Sequence, residues 1–540
     1  MRPRDLDRLE AATYDVLVVG GGIHGLALAY EAASRGLRTA LVEAGDFGSG
    51  ASFNHQKTAH GGLRSLQSGR LDRARDAIRE RRALARIAPW LLRPLPFLVG
   101  TYRSFTRSRL ALRTAFAIDA WLGRGRNTGV EPELHLPVAR LISKAATLRL
   151  FPGIRHERLT GGAQWYDYQI VESDRLTVAF ASAADRAGAD LANYAEGVAA
   201  LRDGSRIVGM RVRDRVSGRE IDVRAAVSVN VAGGAVNVVR RMFGVTTVIP
   251  LLKAMNLVTS KAASDIALAA PGADGRMLTL VPWRGRALVG TSHSERFVGP
   301  HDTQVTAGQV DAFIARINEA FPALKLARGD VTLVHRGIVP ARQGRDGQPD
   351  LRPEPEIHDH AKEGVEGAFT IVGVKYTSAR GVAERAVERI ARRLRKSIQP
   401  SRSATAVLPG AGIADHEALA IETARAVGLE LPLPVIRHLI ARYAEAAAAI
   451  ITLMAERREW RAPVGEGTMT VGAEVVYALR QEMAVHLTDV VIRRTSLGAA
   501  GHPGPEVLQT CAWLAAGELG WDRGRTSEEI AAVDAFYRIH

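Results

Sequence analysis

Cysteine is all but absent. Cys511 stands alone among 540 residues, which excludes an intramolecular disulfide framework and any multi-cysteine metal site. A reducing compartment fits, and no metal is expected. Lysine is scarce too: eight lysines stand against 64 arginines. There is no uncharged run of about 18 apolar residues, and residues 1–12 carry Arg and Asp without the apolar core of a signal peptide. The expectation is a chain that is neither secreted nor membrane-spanning. Aromatic residues contribute only 6%, yet hydrophobic residues reach 46% and charged residues 24%. That composition belongs to a globular protein with a large interior and excludes wholesale disorder.

The length exceeds the roughly 250–300 residues at which a single core stops growing, so at least two domains are expected. A formal charge of +15 implies an anionic partner. Nucleic acid, an acidic membrane surface and a phosphorylated small molecule all satisfy that charge.

Residues 14–19 form a short apolar run that stops at Gly20-Gly21-Gly22, and Gly25 opens an Ala- and Leu-rich segment to residue 35. This reads as strand, turn and helix. Thr39-Ala40-Leu41-Val42 then gives a second strand ending at Glu43, completing a βαβ unit. Residues 70–125 read as helical and crowded with Arg. Between 197 and 300, β-rich runs such as residues 226–231, 278–281 and 286–290 predict a mixed sheet forming a substrate-side layer. Residues 369–373 read as a buried strand followed by a helix over 379–396. The Pro- and Ser-containing stretch 397–412 reads as a linker, and residues 413–540 as helical. The fold class predicted is α/β: a Rossmann-like cofactor-binding domain, a mixed-sheet layer and a C-terminal all-helical domain, divided as 1–400 and 401–540.

Gly20-x-Gly22-x-x-Gly25 has dinucleotide-binding spacing. One glycine makes the tight turn, one admits the pyrophosphate and one lets helix meet strand. Glu43 is placed to accept hydrogen bonds from ribose hydroxyls. Nicotinamide and flavin share this unit, but two later turns favour flavin. Val229-Asn230-Val231-Ala232-Gly233-Gly234 closes a late strand, so Ala232 and Gly233 are expected beside the cofactor. Gly373-Val374-Lys375-Tyr376-Thr377 joins a strand to a helix whose N-terminus would face the isoalloxazine, with Gly373 and Thr377 against it.

With these positions in view, the chain resembles the FAD-dependent (aerobic, membrane-associated) glycerol-3-phosphate dehydrogenase family over nearly its whole length. His60-Gly61-Gly62-Leu63-Arg64 matches that family's HGGLR segment. Lys57 sits where the family has lysine, and Asp167 with Asp174-x-Leu176 is similar to its D-A-R-L stretch. Pro282-Trp283 and Leu288-Val289-Gly290-Thr291 resemble its strand pair. Ala473 to Tyr477, Glu482-Met483 and Arg493-Arg494-Thr495-x-Leu497-Gly498 resemble its C-terminal signature. The departures cluster on the substrate side: the family's phosphate-binding arginine of G-V-R-P falls on Val339, its strand histidine on Asn256 and the acid of its G-T-T-D on His293.

The resemblance implies FAD and a dehydrogenase that moves hydride from an alcohol carbon of a phosphorylated polyol or hydroxy acid to flavin, then to quinone or another acceptor. Arg64, Arg352 and Lys375 would orient the anionic substrate, Asn256 would line its site, and His293 or His60 would be the base. Glu172, Glu196 and the acids of the tail read as surface. Two other functions stay open: a flavin-dependent oxidase of a larger substrate, and a non-catalytic protein binding membrane or nucleic acid, against which the intact glycine turn argues. No nucleic acid partner is expected. Residues 90–125, where Leu, Phe and Trp alternate with Arg103, Arg107 and Arg113, predict a segment lying in the headgroup plane. The expected location is cytoplasmic and peripheral, on the inner face of the plasma membrane.

Overall fold

The computed structural model describes residues 1–62, 70–103, 109–272, 275–344, 347–410 and 415–540. Two sheets and a helical region organise them. The first sheet forms from the short apolar runs, which can be apolar throughout because parallel strands are covered on both faces. All four residues of Thr39–Val42 are buried. The sheet runs Glu356–Asp359, Ala368–Val372, Glu220–Asn230, Thr13–Val19, Thr39–Val42 and Asp190–Ala192. Four of these pairings are parallel. Val19 is level with both Asn230 and Val42, so three strands end together at Gly20, Val231 and Glu43. Helices Ile23–Ser34, Ser173–Arg186 and Ala379–Leu394 share its core through Leu26, Phe180 and Val382. Ligands of open α/β sheets bind at such carboxyl ends.

The second sheet is mostly antiparallel and has ten strands, with Val331–Gln343, Leu251–Thr259, Arg286–His293 and Met277–Trp283 side by side. It continues through Ala267–Pro271 and Leu92–Tyr102 to Leu159–Ile170.

Two expectations are corrected here. Residues 226–230 do not join the substrate-side layer: they lie in Glu220–Asn230, beside Thr13–Val19 in the first sheet. Nor is 70–125 helical throughout. The helix Leu71–Ile87 gives way to the strand Leu92–Tyr102, which pairs along its length with Leu159–Ile170, and the helix Arg109–Leu122 follows. The headgroup-plane segment therefore opens as a strand, with Leu95, Phe97 and Leu98 in the core, and its Arg107 lies outside the described residues.

The C-terminal region packs helices His416–Ala426, Leu433–Tyr443, Ala447–Glu456, Gly472–Gln481, Pro505–Leu519 and Arg523–Phe536 around Ile450, Val475, Leu508 and Cys511. The run Leu433–Glu456 is long and apolar enough to cross a membrane by length and composition. In the structure a 3-10 turn, Ala444–Ala446, breaks it, and Leu439, Ile450 and Met454 lie in the helical core. Asp489–Arg494 forms a π-helical turn.

Candidate active site

The glycine turn is dictated by close approach. Gly20 has φ +116°, and a Cβ there would lie 2.7 Å from the Val231 carbonyl oxygen. A Cβ on Gly25 would lie 1.8 Å from the Gly20 oxygen, so neither position admits a side chain. Gly22 is different: a Cβ would meet only Ser52 Oγ, at 3.2 Å, and the space it leaves is what a pyrophosphate needs. Gly22 caps the twelve-residue helix Ile23–Ser34 with no side-chain hydrogen bond, a terminus suited to a phosphate.

Glu43 closes over this turn. Gly21 N–H donates to its Oε2 (2.5 Å) and Gly45 N–H to its Oε1 (2.8 Å), while Gly48 N–H returns to the Gly21 oxygen (3.0 Å). Burial pushes the Glu43 carboxyl up, against these two backbone hydrogen bonds. Each oxygen retains accepting capacity for a ribose hydroxyl. His24, inside the fingerprint, has its Nε2 buried without a partner, and burial lowers its imidazole to about 4. Ser52 Oγ accepts the Ile23 N–H at 2.9 Å; the rest of this helix terminus, the side-chain-free pyrophosphate position and the acid at the strand end fit FAD.

The later turns converge on the same place. Asn230 pins one of them, donating to the Val236 oxygen and accepting from Ala232 N–H; Gly233 has φ +53°. The other passes over His24, whose ring would lie 2.6 Å from a Cβ on Gly373. Tyr376 of that turn stacks on His55 and donates its hydroxyl proton to the Ser173 oxygen (3.0 Å). Thr377 is buried and its Oγ1 accepts from His60 N–H (3.3 Å). Lys375 is exposed at its start.

His60 faces outward, with its side chain 51% exposed. Its Nε2 is 2.8 Å from Thr58 Oγ1 and its Nδ1 is 3.4 Å from Asp167 Oδ2. Asp167 is buried, yet the hydrogen bond from His60, the charge of Arg81 and the Gly61 N–H together hold its carboxyl below the usual range. A Cβ on Gly61 would lie 2.1 Å from Arg81 Nη1 and would push that guanidinium away from Asp167, which it reaches at 2.5 Å. Lys57 is fully buried, its Nζ donating to the Phe53 oxygen (2.5 Å) and Ser173 Oγ (2.9 Å). Burial lowers it to about 8, against the pull of Asp174.

On the substrate side, Asn256 is buried, accepts from Thr291 Oγ1 (2.7 Å) and donates to the Asn54 oxygen (3.3 Å). His293 ends the strand that carries Thr291. Arg352 is drawn to Glu356, and Arg64 lies outside the described residues. A cleft of about 320 Å³ opens between residues 49–54, the turn 232–235 and the strand Val331–Gln343. The loop 48–60 thus gathers both late turns, Asn256 and His60.

The acids read as surface need correcting. Glu172 is largely buried, and the charges of Arg442 and Arg284 hold its carboxyl low despite that burial. Asp489 and Glu474 of the tail are buried as well. Glu196 does lie near the surface, paired with Arg215. Sequence reasoning also passed over Asp46. Arg494 donates to both of its oxygens (2.6 and 2.8 Å) and Arg493 to one (2.6 Å), while Arg493 also holds Asp489 (2.5 Å). Asp46 lies between Glu43 and Gly48, so the C-terminal π turn grips the segment that closes the glycine turn. His24, His55 and His335 were missed too; of these only His24, inside a fingerprint, carried a local signal.

Residues 15–389 match the family model described as FAD dependent oxidoreductase, and residues 401–526 the one described as the C-terminal domain of alpha-glycerophosphate oxidase. The chain is 28% identical over 551 residues to a glycerol-3-phosphate dehydrogenase of Synechocystis sp., covering 98% of this chain and 97% of that protein. It is 29% identical over 540 residues to glycerol-3-phosphate dehydrogenase 2 of Mycobacterium tuberculosis, covering 97% and 88%. Among solved structures it resembles the glycerol-3-phosphate dehydrogenase from Bacillus halodurans complexed with FAD, with a TM-score of 0.75 at 22% identity over 98% of this chain and 96% of that one. It also resembles an L-proline dehydrogenase from P. horikoshii, with a TM-score of 0.51 at 17% identity over 72% and 94%. These likenesses establish the fold.

Proposed function

The chain belongs to the FAD-dependent oxidoreductase family, and within it we propose oxidation of a small anionic alcohol, a phosphorylated polyol or hydroxy acid, at its carbinol carbon. The observation that carries this reading is coverage: the similarity to a protein named glycerol-3-phosphate dehydrogenase runs through 97% of that protein. We read residues 1–400 as the oxidoreductase domain and 401–540 as a helical domain.

Bound FAD supplies a two-electron acceptor for hydride. The chain's own task is to hold the anion, orient the carbinol and take the hydroxyl proton. The geometry favours His60 as the base. Its imidazole is half-exposed, and buried Asp167 sits on its Nδ1 side, an arrangement that orients the ring. His293 is the alternative. Lys375, exposed at the turn over His24, is suited to the anion, with Asn256 lining the site; Arg352, in this reading, would exchange Glu356 for substrate. The same reading assigns Arg64 to the anion. Gly20, Gly22, Gly25, Glu43, Ala232, Gly233, Gly373 and Thr377 would hold FAD.

Electrons would leave to membrane quinone. Support comes from the helix Arg109–Leu122, whose exposed face carries Leu110 (76% exposed), Arg113 and Trp121 (54% exposed), a composition suited to the headgroup boundary. The protein would then sit peripherally on the cytoplasmic side of the membrane.

The test is anaerobic titration of the purified flavoprotein. Glycerol 3-phosphate or another small phosphorylated polyol or hydroxy acid should bleach the oxidised-flavin band, whereas unphosphorylated glycerol should not. Equal bleaching by glycerol, or none by any anionic alcohol, overturns the reading. One observation favours a second reading, an oxidase of a larger substrate: Val339 brings no charge. Oxygen consumption without added acceptor would support it.

A further inference from the structure

The cleft between the 49–54 loop, the 232–235 turn and the strand Val331–Gln343 has an unusual charge balance. Among the described residues that line it, Arg336 is the single charged side chain; Ser49, Asn54 and Thr303 are neutral donors, and no carboxylate is present. The guanidinium is held by two main-chain carbonyls, Arg538 O from Nη1 and Phe536 O from Nη2, both at 3.2 Å. It pairs with no acid among the described residues. Five buried arginines elsewhere, Arg81, Arg175, Arg380, Arg493 and Arg494, each reach a carboxylate, while buried Arg240 is held by Thr247 instead. Burial accordingly lowers the Arg336 guanidinium from its ordinary value.

A half-buried cation in a cleft without acids is suited to an anion, and a guanidinium presents five N–H donors, of which the two carbonyls take two. The carbonyls also fix its position. The strand is tied to the loop because Arg336 N–H donates to Asn54 Oδ1 (2.9 Å) and Asn54 Nδ2 donates to the Gly50 oxygen (2.9 Å). Arg336 is not a slipped copy of position 339, since residues three apart on a strand face opposite sides.

We propose that this cleft is an oxyanion site with Arg336 as its cation, and that its ligand is a phosphate group. The proposal rests on the flavoprotein reading, and two phosphates meet the chemistry: that of the substrate and the pyrophosphate of the dinucleotide.

The FAD-loaded protein, its Arg336→Met variant and its Arg336→Lys variant are titrated with inorganic phosphate by calorimetry, and FAD dissociation constants are measured for all three. A loss of about tenfold or more in phosphate affinity for Arg336→Met, recovered in part by Arg336→Lys, with FAD affinity unchanged, supports the substrate's phosphate. A comparable loss in FAD affinity, again recovered by Lys, with phosphate titration unaltered, supports the pyrophosphate. Unchanged phosphate and FAD affinities in Arg336→Met overturn the proposal. Equal losses in the Met and Lys variants, with lowered melting temperatures, also overturn it, because they mark a packing role. Failure of the anionic-alcohol reading looks different: no candidate bleaches the flavin, while the phosphate titration still depends on Arg336.

Discussion

The imidazole of His55 lies flat on the ring of Tyr376, with centroids 4.4 Å apart and planes 16° from parallel, and its Nε2 is buried without a partner. Burial, then the charge of Lys57, holds this imidazole well below its ordinary 6.5. His335 is likewise held well below it, and His24 near 4. All three fold neutral. The unfolded chain takes up their protons below about 6.5 and the folded chain does not, so their stability is present above that pH and is lost as pH falls towards 4. The urea midpoint should therefore drop between pH 7 and pH 5. Lys57 adds nothing in this window, because its folded value is about 8. In His24→Asn the drop should be shallower; an identical pH slope removes His24 from this account.

Asp46→Asn leaves Arg493 and Arg494 buried with half their counter-charge. Breaking such a pair costs about 3–5 kcal/mol. The expected result is a melting temperature lower by several degrees, together with weaker FAD retention, because the segment holding Glu43 loses its anchor. Asp46→Asn with Arg494→Met should cost less than the sum of the single changes. Additive losses in a double-mutant cycle would count against direct coupling.

Gly25→Ala and Gly22→Ala should separate folding from cofactor binding. The first places a methyl group 1.8 Å from the Gly20 oxygen and should lower stability and flavin content together. The second meets only Ser52 Oγ, so melting of the apoprotein should stay near wild type while FAD affinity falls about tenfold or more. Flavin-to-protein absorbance ratios and melting curves check both. Full flavin content in Gly22→Ala would place the pyrophosphate elsewhere.

Flotation tests the helix Arg109–Leu122. The protein should rise with anionic vesicles at low salt and release as salt increases. Leu110→Ser with Trp121→Ser should abolish flotation without changing melting. If the double variant floats as well as wild type, another surface makes the contact.

The first sheet was legible because buried parallel strands read as continuous apolar runs, and Thr39–Val42 shows no other pattern. Leu92–Tyr102 was not: Pro94 and Pro96 interrupt it and leucine dominates it, so its strand character comes from pairing with Leu159–Ile170. Residues 226–230 were seen as a strand but given to the wrong sheet, because a local run does not name its neighbour. Gly20, Gly22 and Gly25 carry their reason in their spacing. Asp46 and Glu172 do not, since a lone acid in sequence reads as surface until its arginines arrive from remote segments.

That distance also sets an order of events during synthesis. Asp46 leaves the ribosome 448 positions ahead of Arg494, an interval of roughly 20–90 s at about 5–20 residues per second. Throughout it the Asp46 carboxylate has neither of its guanidinium partners and is better hydrated than buried. The glycine turn is thus made well before the residues that anchor the segment closing it.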